Sequence, residues 1–275
     1  MYNEAIESKA PVLVITSAAG GTGSGSTVSV CKALIERGVQ TIPVIVFPNK
    51  NDPDAFHLNA NDLLMELDEV GVETYSIFEN RKGDANYEPV NQEVVNLIEI
   101  IFGKRYTKTE LDSIDDSDLD VILSTPGRFI AVSAEGQNAT MLSKEITRKV
   151  FSGFQPAWST DNNTSNGTVI TAFSLTSMFA NTEFKNVFAE INNRLTNVYD
   201  EYRNIANDDN DGKSSASVII AGLPRPDIKE IDGEYKEASS LSEGMKKSKR
   251  PNFMNRKKAS IVANDKDSIG KFKWK

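Results

Sequence analysis

The chain contains one cysteine, Cys31, and one histidine, His57, in 275 residues. A single thiol excludes a disulfide framework. A single imidazole gives no support to histidine-built metal centres or to Ser-His-Asp chemistry, so no metal site is expected from protein ligands. No apolar run reaches membrane-spanning length, and the N-terminus lacks the charged-then-apolar pattern of a leader. These absences predict a cytoplasmic protein with no membrane partner. Basic residues are also scarce, giving a net charge of −8, which excludes nucleic-acid binding by bulk charge. The deficit is uneven: residues 1–226 carry 18 basic and 31 acidic side chains, whereas residues 227–275 carry 13 basic and 8 acidic. An acidic body with a basic tail predicts that the tail has its own partner.

Glycine, by contrast, is concentrated in one place. Val12-Leu13-Val14-Ile15 is an apolar run; Ala19-Gly20-Gly21-Thr22-Gly23-Ser24-Gly25-Ser26 comes next; then Val28, Val30, Leu34 and Ile35 fall at helical spacing. Strand, glycine loop and helix in that order propose a bound phosphate, because glycines let backbone N–H groups curl around an anion and the helix N-terminus adds its dipole. Two phosphate patterns fit. Gly20 to Thr27 has the spacing of G-x-x-x-x-G-K-[ST], the P-loop of ParA-like ATPases, but Ser26 stands where that mechanism needs its lysine. Gly20 to Gly25 matches G-G-T-G-[ST]-G without a gap, and that loop uses backbone amides and no lysine. A ligand-free glycine turn is the third reading.

Periodicity gives the rest of the outline. Strands are expected over 12–17, 41–47, 73–78, 128–134, 168–175 and 217–222. Helices are expected over 26–37, around Leu63 to Val70, from Pro89 through Ile101, over 138–151, and as one long amphipathic segment over 183–205. The helix after Pro89 is apolar on more than one face and is expected to be buried between two bodies. Alternating strands and helices predict a parallel α/β sheet. Residues 227–275, low in apolar content, are expected to be disordered. At 39% hydrophobic content the chain can build one large domain or two small ones.

This order of elements resembles the tubulin/FtsZ superfamily from its signature loop onward, over roughly residues 10–226. Gly20-Gly21-Thr22-Gly23-Ser24-Gly25 matches the signature loop. Val46-Phe47-Pro48 resembles the entry to the ribose-contacting loop, and Glu73-Thr74-Tyr75-Ser76-Ile77 the strand before the base-contacting loop. Val90-Asn91-Gln92 resembles the start of the central helix. Ser113-Ile114-Asp115-Asp116-Ser117-Asp118-Leu119 resembles the synergy loop, N-x-D-x-x-[DE], with Ser113 in place of its asparagine. Residues 168–175 and 216–222 resemble two strands of the second domain.

The resemblance implies an α/β fold: a partial tubulin/FtsZ-like GTPase domain (1–87), a long central helix and connection (88–112), a second α/β activation domain (113–226) and a basic tail (227–275). It implies GTP, and GDP after hydrolysis, with Mg2+, on Gly20, Gly21, Thr22, Gly23, Ser24 and Gly25. Asn80 or Asn91 would contact the base, with Asn91 favoured because a buried helix start needs a partner for its amide. Asp118 would polarise the attacking water and Asp115 would assist. Read as residues alone, Ser113 or Asp115 fits a helix N-cap equally. Asp52 and Asp54 fit either a ribose contact or a solvated loop. Within the superfamily the tail looks closest to TubZ-type plasmid-partition members, with PhuZ-type phage members the neighbouring group. The expected function is therefore a filament that moves plasmid or phage DNA. Subunits would join through the synergy loop, and the tail would engage a DNA-bound adaptor. The family's N-terminal strand and G-x-G-x-N loop have no counterpart here. A ParA-like partition ATPase and a non-hydrolysing filament partner or cap are the alternatives, and if the chain stands alone an edge strand and an apolar face should be exposed.

Overall fold

A computed structural model describes residues 10–49, 51–80, 86–103, 110–155, 169–195, 197–207 and 213–224. The chain divides into two compact units, Met1–Ile228 and Lys229–Lys275. The second unit lies outside the described residues, as do the polar loop at 161–167 and the basic tail.

Eight strands are described: β1 (Val12–Ser17), β2 (Thr41–Val46), β3 (Thr74–Phe78), β4 (Glu110–Asp112), β5 (Gly127–Gly136), β6 (Val169–Ser177), β7 (Val198–Asn207) and β8 (Ser214–Leu223). They form one sheet in the order β1-β2-β3-β5-β8-β6-β7-β4. The β1–β2, β2–β3, β3–β5 and β6–β7 pairs are parallel, while β8 runs antiparallel to both β5 and β6. Six helices are described: α1 (Gly21–Ile35), α2 (Asp54–Glu69), α3 (Glu88–Phe102), α4 (Asp116–Ser124), α5 (Ala139–Ser152) and α6 (Ala180–Arg194).

The period-2 alternation of β5 explains the layering. Ile130, Val132 and Ala134 point into a core shared with α5 and α6. Phe129 and Ala131 point the other way, into a core shared with α3 and α4. At the other end of the sheet β2 is buried along its whole length, as a parallel strand covered on both faces should be. β1 is different. Its outer edge is unpaired among the described residues, Ile15 is 51% exposed, and the six residues Val-Leu-Val-Ile-Thr-Ser carry no charge or proline to guard that edge.

Helix ends follow local chemistry. α1 and α2 each stop at a glycine in the left-handed region, Gly38 (φ 73°) and Gly71 (φ 86°). The next residue then reaches back, Val39 N–H to Leu34 C=O at 3.1 Å and Val72 N–H to Leu67 C=O at 3.0 Å.

Three expectations are corrected. The helix after the glycine loop begins at Gly21 rather than residue 26, so the loop is itself the first turn. α3 buries one face (Val90, Val94, Leu97, Ile101) and leaves Val95 at 44% and Phe102 at 57% exposure, so it is not enclosed on all sides. The long helix expected over 183–205 ends at Arg194, and residues 198–207 form β7, parallel to β6. Asn197 at φ 62° turns the chain there. Val198 and Tyr202 are four apart and so also fit a helix, but β-branched and aromatic residues in that run favour a strand once β6 offers a ladder.

Gly127 opens β5 at φ 121°, and a Cβ there would lie 2.7 Å from the Leu223 carbonyl oxygen. Gly127→Ala is therefore expected to lower stability by more than about 2 kcal/mol, from backbone strain plus displacement of β8. A urea unfolding midpoint equal to that of the parent would contradict this packing.

Candidate functional site

Because β1, β2 and β3 are parallel, their C-terminal ends lie together. The glycine turn comes after β1 and the segment Glu79-Asn80 after β3, two strands away, or about 10 Å across the sheet. The cap residue Gly20 makes no side-chain capping bond, and the first turn of α1 holds no acidic residue. The first intrahelical bond of that turn is Ser24 N–H to Gly20 C=O at 3.0 Å. The N–H groups of Gly21, Thr22 and Gly23 thus precede any intrahelical acceptor and are available to an anion.

The glycines divide by function. A Cβ on Gly20, Gly21 or Gly25 would meet nothing within 4 Å, whereas one on Gly23 would lie 3.0 Å from the Ser17 carbonyl oxygen and 3.4 Å from Thr16 Oγ1. None of the four has a positive φ. Gly23 is explained by close packing of α1 on β1. The other three are required neither by backbone conformation nor by internal packing. They share open space where a side chain would otherwise stand. Thr22 is exposed on the same turn, while Ser24 is buried and its hydroxyl donates back to Gly20 C=O at 2.9 Å. Ser26, at the place of the P-loop lysine, is exposed and donates to Gly23 C=O at 3.3 Å.

Around this turn lies a set of amides. Asn59 Nδ2 donates to Ala19 C=O at 3.0 Å, tying the turn to α2. Asn49, 3% exposed, donates from Nδ2 to Asn80 C=O at 3.0 Å. Asp52 Oδ2 accepts from the Asn49 N–H at 2.7 Å and from the Tyr87 hydroxyl at 2.6 Å. Burial and then the Asp52 carboxylate hold the Tyr87 pKa above its ordinary value, so the hydroxyl stays protonated and donating. Asp52 is thus committed to shaping the loop.

Asn80 is wholly buried, and neither Oδ1 nor Nδ2 of its side chain makes a well-formed hydrogen bond among the described residues. The Tyr87 hydroxyl gives its proton to Asp52, and its oxygen is left to accept from the Asn80 amide, an interaction that acts to lower the Tyr87 pKa. A buried amide with so little else to bond is an uncommon, costly feature. Asn91, by contrast, is exposed on the first turns of α3. The burial expected of Asn91 is found instead at Asn80, just after β3. Asn49 and Tyr87 are neighbours of Asn80 that sequence reasoning misses. Their only signals are the Pro48-Asn49 turn and an aromatic two residues before Pro89.

The acidic pair lies elsewhere. Asp115 and Asp118 form a reciprocal capping box on α4: Asp115 Oδ1 accepts from the Asp118 N–H at 2.9 Å, and Asp118 Oδ2 from the Asp115 N–H at 3.0 Å. The Ser117 hydroxyl, donating to Asp115 Oδ1 at 2.6 Å, is the main reason the Asp115 pKa is lowered, with the Asp118 N–H next. The Asp115 half of the box is therefore formed at neutral pH and is lost as pH falls through that lowered value. Asp116 and Asp120 of the same helix line a cavity of about 240 Å3 with Phe102 and Pro11. Pro11 immediately precedes β1. The acids consequently sit toward the opening end of β1 and the glycine turn beyond its closing end, separated by about 20 Å of strand. One chain does not bring them together. Among the described residues no cluster of His, Cys, Asp and Glu suits a metal ion, and no helix is long and apolar enough to cross a membrane.

A parallel β1–β2–β3 unit with a glycine turn, a helix leading to an acid-capped α4, and a mixed sheet beyond it define a tubulin/FtsZ-like fold. The comparison with solved structures agrees. The chain is similar to TubZ of Bacillus thuringiensis serovar israelensis in GDP-form protofilaments (TM-score 0.63, 20% identity, covering 86% of this chain and 68% of that one). It is also similar to an empty FtsZ dimer from M. jannaschii (TM-score 0.57, 16% identity, 77% and 63% covered). A third similar structure is GDP-bound CetZ1 from Haloferax volcanii (TM-score 0.56, 18% identity, 83% and 70% covered). No family model and no curated protein matches the sequence.

The division among the glycines is testable without a ligand. Gly25→Ala is expected to leave the protein as stable or to raise stability by up to about 1 kcal/mol, the helix propensity gain. Gly23→Ala is expected to destabilise it. Thermal melts showing the reverse order would refute the assignment.

Proposed function

We propose that this chain is a tubulin-like guanine-nucleotide-binding protein that assembles head to tail into filaments and hydrolyses GTP at the subunit junctions. The observation that carries the proposal is the pairing of an unlined helix N-terminus at Gly20, Gly21 and Gly25 with the buried amide of Asn80, whose one close polar neighbour is the Tyr87 hydroxyl, at the same end of the sheet. The first fits a phosphate chain. The second offers a donor and an acceptor together, which suits the edge of a guanine base. In this reading the backbone N–H groups of Gly21, Thr22 and Gly23 hold phosphate oxygens, with the Ser24 hydroxyl holding Gly20 in place and the Tyr87 ring beside the base. Mg2+ would be held chiefly by phosphate oxygens and water, since it binds readily with few protein ligands.

Head-to-tail stacking is the consequence of the separation of the two half-sites. Asp118 and Asp115 reach a phosphate only on a neighbouring copy, where Asp118 would accept a proton from the attacking water and Asp115 would hold the start of α4. Each carboxylate spends one oxygen on the capping box and keeps the other. The TubZ and CetZ1 structures, a GDP-form protofilament and a GDP-bound monomer, support a guanine nucleotide and a filament. Movement of plasmid or phage DNA in the cytoplasm, with the basic tail on a DNA-bound adaptor, is the cellular role this reading favours. It rests on the charge of residues 227–275. The capping box also favours a second reading, in which the acids serve α4 alone and the chain joins or caps filaments without turnover.

GTPase rate measured against protein concentration separates these readings. The first expects turnover per subunit to switch on above a threshold concentration. Asp118→Ala should then abolish turnover while sedimentable filaments persist, and Gly21→Ala should weaken nucleotide binding without unfolding the protein. Turnover that is independent of concentration, or absence of guanine-nucleotide binding, would sink it. Filaments without turnover would favour the second reading.

A further inference from the structure

β3 and β5 begin as neighbours and then part. Their ladder consists of Thr74↔Gly127 and Tyr75↔Arg128, and beyond Tyr75 the strand β3 has no described ladder partner on its β5 side. The segment Gly153-Phe154-Gln155, directly after α5, fills that wedge. Gln155 Nε2 donates to Ser76 Oγ at 2.5 Å, and Gln155 Oε1 accepts from the Ala131 N–H at 3.3 Å. One side chain, 2% exposed, thus bridges β5 to β3 where backbone pairing has stopped. Just past the end of β3, the Glu79 N–H donates to Phe154 C=O at 2.7 Å. Arg128, wholly buried at the narrow end of the wedge, has its pKa lowered to about 10 by burial, opposed by the charges of Tyr75 and Glu79.

Each of the ties from Gln155 and Phe154 lands on β3, on its partner β5, or on the stretch that leads into Asn80. The Glu79 N–H is fixed by Phe154 on one side, and the Asn80 carbonyl is fixed by Asn49 on the other. The Asn80 side chain beside them is wholly buried, with the Tyr87 hydroxyl as its close polar neighbour. A polar group kept buried with so few partners needs a rigid backbone, since any local freedom would let it find others or turn to solvent.

We propose that Gln155 and Phe154 form a clamp that aims the Asn80 amide at the base, so that base selectivity is set by residues that do not touch the nucleotide. This inference rests on the guanine-nucleotide reading. Gln155 is a positioning residue. Its loss strands the Ser76 hydroxyl and the Ala131 N–H and releases the backbone of Glu79 and Asn80. Affinity for the phosphate chain, held two strands away at the glycine turn, is left nearly unchanged.

The test compares Gln155→Leu, which keeps the shape and removes the bridge, with Gln155→Glu, which can still accept from both Ala131 N–H and Ser76 O–H. GTP and ITP affinities are measured on the full chain, together with hydrogen exchange at the Glu79 and Asn80 amides. ITP keeps O6 and N1–H and lacks only the exocyclic amine, so with Asn80 Oδ1 accepting from that amine it reports this contact separately from the phosphates. In Gln155→Leu we expect exchange at both amides to rise about tenfold or more. The preference for GTP over ITP should fall by about tenfold, with ITP affinity nearly constant. Gln155→Glu should recover most of both. If Gln155→Leu fails to fold, Ser76→Ala removes only the β3 end of the bridge and should shift the same readouts in the same direction. A folded variant with unchanged selectivity and exchange would overturn the clamp alone. Parent protein that binds no guanine nucleotide would overturn the functional reading itself.

Discussion

The constraint on which this structure depends is strand direction. β1, β2 and β3 run the same way, so each connecting helix must return against them, and the segments that leave the three strands collect at one end of the sheet. That end receives the glycine turn, the Asn49–Asp52 loop and Asn80. The return of α3 carries the chain to the opposite end, where α4 and its acids begin. No local feature of the glycine turn or of the aspartates determines their separation. Parallel pairing over a handful of residues does.

The second organising feature is the parting of β3 from β5. A sheet of eight twisted strands cannot keep every pair in register to its full length. Here the gap is closed by a glutamine side chain and a buried arginine instead of backbone pairing. Such a joint is well defined but local. It couples the end of α5 to the end of β3 through Phe154 and Gln155.

Legibility in the sequence tracks the range of the interactions. The glycine turn is readable because its parts are local: strand, glycines and helix are contiguous in Val12 to Ile35. The end of α1 at Gly38 is readable for the same reason. The capping box on α4 is readable as one of two alternatives, and the geometry shows that Asp115 and Asp118 satisfy it while each keeps an oxygen outside the box. β7 reads as helix because Val198 and Tyr202 satisfy a period of four as well as a strand. Only β6, some thirty residues earlier, decides between them. Sequence alone expects burial at Asn91, whereas the buried amide is Asn80, since burial there depends on Asn49 and Tyr87 arriving from two other segments. Gln155 is invisible, because its partner Ser76 lies 79 residues away.

Among the described residues β1 is a ladder with one side. Val12 N–H donates to Gln40 C=O and Ala18 N–H to Val46 C=O, both at 2.9 Å, so the even-numbered amides of the strand face β2. The odd-numbered ones, at Leu13, Ile15 and Ser17, face outward. Protection from solvent therefore alternates residue by residue along a single strand. Leu13 tucks its side chain into the α3 core while its own amide points outward. Among the described residues the sheet ends at the backbone of β1 itself, and loss of the even–odd pattern of amide exchange is the signature by which any neighbour on that edge would be recognised.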